Sequence, residues 1–355
     1  MMHTFKPQKN LFSLMSIVRA TLSNRLSTDD NVMGAVVGVV GCGRWGMTHL
    51  KTLSMLKDQG LISALHACDI DSSTESEATK YADTFCTDWQ TLVSNHQLNV
   101  VAIVTPADTH QDLALALLDY CNALFIEKPI GLSQTEASSI IAKVQETGSK
   151  LLVGHILRFN EAINEAMKLI SNGEIGELQR IEFNRITKRQ PPDNPNIFEA
   201  MAIHGIDTAC YSFGELEPSR LSVTNLILND NNYPINAKLS LEFPGMKEAC
   251  IDVGWNGDEE NRQIQYFGSI GSIVVETSTL NRLTIKTEQN ERVCVLNSSD
   301  LPLTREWLHL LQSHQNSSQQ PIYPQQGAII RSVKWVEMAN QEIQNTSTEL
   351  NESIE

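Results

Sequence analysis

The stretch VVGVVGCGRWGMTHL, residues 36–50, decides how the rest of the chain reads. An apolar, β-branched run ends in Gly41, Gly43 and Gly46, and a helix-compatible segment follows. Glycines permit backbone angles and close approaches that a Cβ forbids. A helix N-terminus behind such a turn offers unpaired N–H groups and the positive end of a dipole to an anion. The arrangement suits a pyrophosphate. A bare G-x-G-x-x-G is weak evidence, so its surroundings must decide.

Those surroundings agree. A strand from Ala35 to Val40 precedes the glycines, and a helix from Trp45 to about Leu56 follows them. A second apolar run, LHACD, ends at Asp69. That spacing, somewhat over ~20 residues, puts a carboxylate at a strand tip, where it can grip an adenosine ribose diol. Asp69 would repel a 2′-phosphate, and Ile70 follows it where a base would welcome one. NAD is therefore expected in preference to NADP. Arg44, inside the glycine loop, is a further candidate phosphate contact.

Composition narrows the classes. At 355 residues the chain can hold two ordinary domains with sizeable cores. A formal charge of −15 argues against nucleic acid or an anionic membrane as the main partner. The seven cysteines are scattered, odd in number and without a C-x-x-C. They read as free thiols of a reducing compartment, with no metal site expected and a cytoplasmic location. No apolar run is long enough to span a bilayer. Residues 1–32 are basic up to Asp29 and read as an extension, a targeting segment, or a start placed ahead of Met33. An extension or a misplaced start is preferred.

From Met33 to Gly154 strands and helices alternate, with strands at 35–40, 64–68, 100–104, 124–126 and 151–153. Ser133 and Glu136 form a capping box ahead of a helix ending near Glu146. The rhythm predicts a Rossmann domain over 33–154, a doubly wound parallel sheet. Over 155–344 it changes to a helix from Asn160 to Ser171, another from about His204, and a series of short strand-like runs. These predict an α+β domain with a large open, mostly antiparallel sheet. Two helices near 303–314 and 326–344 and a frayed tail, 345–355, complete the expected α/β organisation.

Three further stretches carry chemistry. TPADTH places Thr105 and Pro106 at a carboxyl strand end, where ligands lie in such sheets. LFIEKPIG places Glu127, Lys128 and Pro129 at the next one, and a lysine there can stabilise a developing alkoxide. MAIHGIDTACYSFG places His204 and Asp207 near a helix start, and histidine is the natural proton shuttle near neutral pH.

Taken together, GCGRWG, CDID, TPADTH, EKP, VGHILRFN, HGIDTACYSFGE and VGWNG…RQIQYFGSIGSIVVE resemble the Gfo/Idh/MocA family of nicotinamide-dependent sugar and polyol oxidoreductases. The resemblance implies hydride transfer between nicotinamide and a secondary hydroxyl or ketone of a sugar. It implies that Lys128 contacts the reacting oxygen, often before a cis peptide to Pro129, and that His204 is the acid/base. On the cofactor side it implies Gly41, Gly43, Arg44, Trp45, Gly46, Asp69, Thr105, Pro106, His110 and Glu127. The substrate candidates are Lys128, His155, Arg158, Asn160, His204 and Asp207. Arg185, Lys188 and Arg189 are possible phosphate contacts, because this region resembles members that oxidise nucleotide-sugars. The open sheet implies a homodimer or homotetramer. One departure matters. Many catalytic members carry Asp four residues before the histidine, where this chain has Ala200. Glu199 is the neighbouring carboxylate expected to orient His204. The alternative is a non-catalytic NAD-binding sensor or assembly subunit on the same scaffold.

Overall fold

A computed structural model describes residues 34–192, 196–297, 300–315 and 321–352. The expected extension over 1–32 lies outside them. The glycine-bearing strand β1 (Ala35–Val40) sits inside a seven-stranded parallel sheet with β2 (Ile62–Cys68) and β4 (Val100–Ile103) beside it. β3 (Thr84–Cys86) forms one edge, and β5 (Ala123–Ile126) and β6 (Lys150–Val153) extend the other side. Strand order reverses between β1 and β4. The carboxyl ends at this switch point open a crevice, the ordinary ligand site of such sheets.

The central strands β1, β4 and β5 are buried on both faces, which is why they read as continuous apolar runs. Helix α1 (Arg44–Asp58) leaves the glycine turn, followed by α2 (Glu75–Ala78), α3 (Trp89–Asn95), α4 (His110–Leu117) and α5 (Gln134–Thr147). Ser133 Oγ accepts from the Glu136 amide at 3.2 Å, as a capping box requires. Glu136, however, accepts from the Leu132 amide at 2.7 Å instead of closing the box on Ser133.

The second sheet has eight strands in the order β14-β13-β12-β11-β7-β10-β9-β8. It is antiparallel except where β7 (Leu178–Ile186) lies parallel to β10 (Lys247–Gly254). Its other members are β8 (Arg220–Leu228), β9 (Pro234–Phe243), β11 (Asn261–Gly268), β12 (Gly271–Glu276), β13 (Arg282–Thr287) and β14 (Glu291–Val295). Strict alternation, with Leu239, Leu241, Ile251, Val253, Ile264 and Tyr266 buried, packs one face beneath helices. Those helices include α6 (Glu161–Ser171) and α7 (Ile203–Ser212).

Two boundaries differ from expectation. Helix α8 (Pro302–Gln315) and the two-residue strand β15 (Ile322–Tyr323) return to the first sheet, where β15 pairs with β6 and Trp307 stacks on Phe125 at 5.0 Å. A single stretch 155–344 is therefore not one packing unit. A two-residue strand has no periodicity to read. Helix α9 (Gln326–Glu352) also runs past 344, since neither Gly nor Pro interrupts its polar end. All seven cysteines are free. No helix among the described residues is long and apolar enough to cross a membrane.

Candidate active site

The three glycines serve three separate needs. Gly41 has φ +97°, and a Cβ there would lie 2.6 Å from the Val104 carbonyl oxygen. A Cβ on Gly46 would approach the Gly41 oxygen to 2.0 Å. Gly43 is different: it has φ −64°, and a Cβ there would meet no protein atom within 4 Å. Among the described residues nothing demands glycine at 43, whereas a ligand lying against its backbone would. It also stands at the N-terminus of α1, which has no side-chain cap and no acid in its first turn. The residues therefore fit a dinucleotide pyrophosphate.

Asp69, at the tip of β2, is tied to that loop. Its carboxylate accepts from the Cys42 amide at 2.5 Å and from the Asp71 amide at 2.9 Å. Lone pairs remain for ribose hydroxyls. Ile70 beside it is 92% exposed and adds no positive charge for a 2′-phosphate. Thr105 and Pro106 line the crevice rim, with Thr105 Oγ1 2.6 Å from Thr109 Oγ1.

Two expected cofactor contacts have other duties. His110 is buried, with one ring nitrogen 2.8 Å from the Pro129 oxygen and the other 2.9 Å from the Thr105 oxygen. It ties two crevice loops together and presents no ring atom to a ligand. Glu127 is buried as well. Its Oε1 accepts from Trp45 Nε1 at 2.7 Å and pairs with His49 Nε2 at 3.0 Å. Trp307 Nε1 lies 3.2 Å from His49 Nδ1. An indole N–H only donates, so Nδ1 accepts and His49 carries its proton on Nε2, directed at Glu127. Burial pushes the Glu127 carboxyl up, but His49, Trp45 and Lys128 outweigh it and hold it below its ordinary value. Through Trp45, Glu127 fixes the glycine-loop helix to the strand that delivers Lys128. The i,i+4 pair Trp45 and His49 in WGMTHL was the available signal, and sequence reasoning passed over His49.

Lys128 follows at the end of β5, ahead of a cis peptide to Pro129. Its Nζ donates to the carbonyl oxygens of Glu199 and Ala200, each at 3.1 Å. Those carbonyls belong to a π-helical turn, Phe198–Ala202, a form that recurs at functional sites. Burial pushes the Lys128 ammonium down to about 8, opposed by Glu127 and reinforced by Arg185. His204, on α7, is buried and makes no hydrogen bond or ion pair among the described residues. Burial, then the charges of Arg185 and Lys128, push its imidazole well below the ordinary range. It is a neutral imidazole with both ring nitrogens unengaged.

The carboxylate expected to orient His204 is absent. Glu199 turns away: its Oε1 accepts from Asn196 Nδ2 at 2.7 Å, and Asn340 is its second partner. Glu199 instead serves Lys128 through its backbone. The expected carboxylate–histidine pair is not assembled here: Glu199 and Ala200 meet Lys128 through their backbone carbonyls, and the Glu199 carboxylate acts on the lysine only through its charge.

The expected substrate contacts also divide. Arg158 is buried, with Nε and Nη2 on Asp207 at 2.8 and 2.7 Å and Nη1 on Glu215 at 2.7 Å. Arg331 pairs with the same Glu215. Arg158 and Asp207 chiefly satisfy each other, and they lock α7 to the segment following β6. Asn160 caps α6, accepting from the Ile163 amide at 3.1 Å. His155 lies beneath, its Nδ1 3.4 Å from Asp207 Oδ2 and its Nε2 3.4 Å from Ser332 Oγ. Sequence reasoning also missed Glu306, fully buried on α8 with neither carboxyl oxygen hydrogen-bonded. Burial and the charge on Glu127 push it far above its ordinary value, so it is a neutral acid.

Comparison with known proteins agrees with this architecture. Residues 36–155 match the Gfo/Idh/MocA family, described as an oxidoreductase family with an NAD-binding Rossmann fold. An inositol 2-dehydrogenase of Rhizobium meliloti is 32% identical over 254 residues, 67% of this chain and 74% of that one. Among solved structures, a UDP-N-acetylglucosamine 3-dehydrogenase from Acidithiobacillus ferrooxidans superposes with TM-score 0.75 at 19% identity, covering 88% of this chain and 98% of its own. A myo-inositol 2-dehydrogenase from Lactobacillus plantarum gives 0.74 at 21% identity, with the same coverage. These two structural likenesses speak for the fold alone. The chain belongs to the Gfo/Idh/MocA family of NAD-binding oxidoreductases, which act on CH–OH groups.

Proposed function

We propose that this protein transfers a hydride between NAD(H) and a secondary hydroxyl or ketone of a sugar or cyclic polyol derivative. One observation carries the reading. Lys128 follows Glu127, which is hydrogen-bonded to Trp45 of the glycine-loop helix, and its charge reaches the buried, unengaged imidazole of His204. NAD, when bound, supplies the hydride acceptor.

In the oxidation direction the substrate C–H bond breaks, its hydroxyl proton leaves and the C=O bond forms. Lys128 has three N–H donors, of which the Glu199 and Ala200 carbonyls use two. The third stabilises charge on the substrate oxygen. His204, neutral with unengaged nitrogens, takes the proton. Its basicity is low in the free protein, so acceptance depends on a bound substrate offsetting the positive charge around it.

The competing reading, a non-catalytic NAD-binding subunit, rests on Ala200, and the carbonyl contacts to Lys128 supply part of what the missing aspartate would. Turnover separates the two: the purified chain with NAD and a panel of sugars and inositols should generate reduced nicotinamide absorbance. Cofactor binding without turnover across neutral, acidic and phosphorylated sugars would favour the subunit. We further place the protein in the cytoplasm, in keeping with its free thiols. Its uncovered sheet face, with Arg180, Glu182 and Lys238 on it, is assigned as the self-association surface; light scattering would test that.

A further inference from the structure

Along β7, Ile181 and Phe183 are buried against the helical layer, and a Cβ on Gly205, next to His204, would meet the Phe183 ring at 2.8 Å. Arg185 continues this alternation, so it leaves the sheet on the face that carries His204. On the antiparallel neighbour β11, Arg262 stands directly opposite Arg185. It continues the face of buried Ile264 and Tyr266. Like charges in directly opposed cross-strand positions destabilise a sheet.

The compensation is incomplete. Arg262 Nε lies 3.0 Å from Glu260 Oε2. The other Glu260 oxygen is occupied by Thr187 Oγ1 at 2.8 Å and the Lys188 amide at 3.0 Å. Arg185 is half-buried, yet its side chain makes no hydrogen bond or ion pair among the described residues. The same holds for the Arg189 side chain, just past the strand end. Arg44, from the glycine loop, adds to the positive field felt by Arg189. This surplus sits in a chain whose formal charge is −15. Guanidiniums held together at a strand cost are ready for a ligand that supplies the missing negative charge.

We infer that Arg185, Arg262 and Arg189 form a receptor for a phosphate ester on the substrate, which is a phosphorylated or nucleotide-linked sugar and not a neutral polyol. The inference rests on the oxidoreductase reading above, because it needs the reacting carbon between Lys128 and His204. Several guanidiniums close enough to act on one another's charge suit a dianionic phosphate better than a single carboxylate. The cofactor's own pyrophosphate is already provided for by the bare backbone at Gly43. An anion here would also offset the charge that depresses His204, so the base would gain strength as the substrate arrives.

The test uses the full chain loaded with NADH, titrated calorimetrically with UDP and with inorganic pyrophosphate. Binding is expected for at least one of them. Arg185→Met should weaken it by about 10–100-fold, the loss of one charge-assisted bidentate contact, with NADH affinity held within about twofold. Arg189→Gln changes an exposed position, so folding is not at issue, and should weaken binding in the same sense. Unchanged anion affinity in both variants, or NADH affinity falling in parallel, would overturn the receptor. Turnover of glucose 6-phosphate against UDP-N-acetylglucosamine then distinguishes the source of the phosphate. Efficient turnover of myo-inositol with no anion binding would overturn the receptor while leaving the oxidoreductase reading standing. Arginine-dependent anion binding without turnover of any sugar would support the receptor and count against that reading.

Discussion

The Lys128 ammonium lies 3.1 Å from the carbonyl oxygen of Ala200, the position where the family's relay is expected to supply an aspartate side chain. A backbone dipole thus stands where a full negative charge was expected. The lysine is held in place but not held fully basic, and burial takes it down to about 8.

This gives the reaction a pH signature. Lys128 stabilises the substrate oxygen only as the ammonium, so its contribution is present below about 8 and lost as pH rises through that value. His204 is already neutral well below pH 6.5, so it adds no acidic limb at neutral pH. The kcat/KM for alcohol oxidation should stay level through neutrality and fall above about 8. Ala200→Asp adds a carboxylate while keeping the backbone contact, and should move that fall upward by about one unit. A rate that instead climbs through the same range would make Lys128 the base.

His204→Asn should lower kcat by about 10²–10⁴-fold, the range of a lost general base. NADH affinity, read by fluorescence titration, should stay nearly unchanged. Normal turnover by this variant on the true substrate would send the proton elsewhere.

Gly43→Val should abolish NADH binding with little change in Tm, because the protein leaves the space above Gly43 open. Asp69→Ala should weaken NAD more than NADP and narrow the preference between them. It should also loosen the glycine loop through loss of the Cys42 amide contact. Tighter NADP than NAD binding by the unmodified protein would contradict the role given to Asp69.

Arg158→Met should cost about 3–5 kcal/mol of stability in urea unfolding, since it leaves Asp207 buried without its partner. The KM of whatever folded enzyme remains should barely move. A raised KM at unchanged stability would return Arg158 to the substrate site.

Glu306→Met should stabilise the protein by about 1–3 kcal/mol, the cost of two buried oxygens without partners. Thermal unfolding at fixed NADH concentration would measure it. A loss of stability would mean that the acid has a partner when the protein is in solution.

The sequence by itself determined the Rossmann sheet, because glycines at 41, 43 and 46, apolar strands and a carboxylate at 69 are local patterns with local causes. It also determined that Lys128 ends a strand and that the later runs alternate in and out. What it could not determine was partnership. Arg158 and Asp207 lie far apart in the chain and become a buried ion pair only when α7 packs on the segment after β6. Glu199 and Ala200 look like a carboxylate and a gap. Only the π turn shows that their carbonyls, not a side chain, face the lysine. Arg185 and Arg262 are unremarkable apart and become a charged site only through strand register. Periodicity is set by backbone geometry within a few residues, whereas a site is set by which distant groups tertiary packing brings within hydrogen-bond reach, and one sequence does not record that.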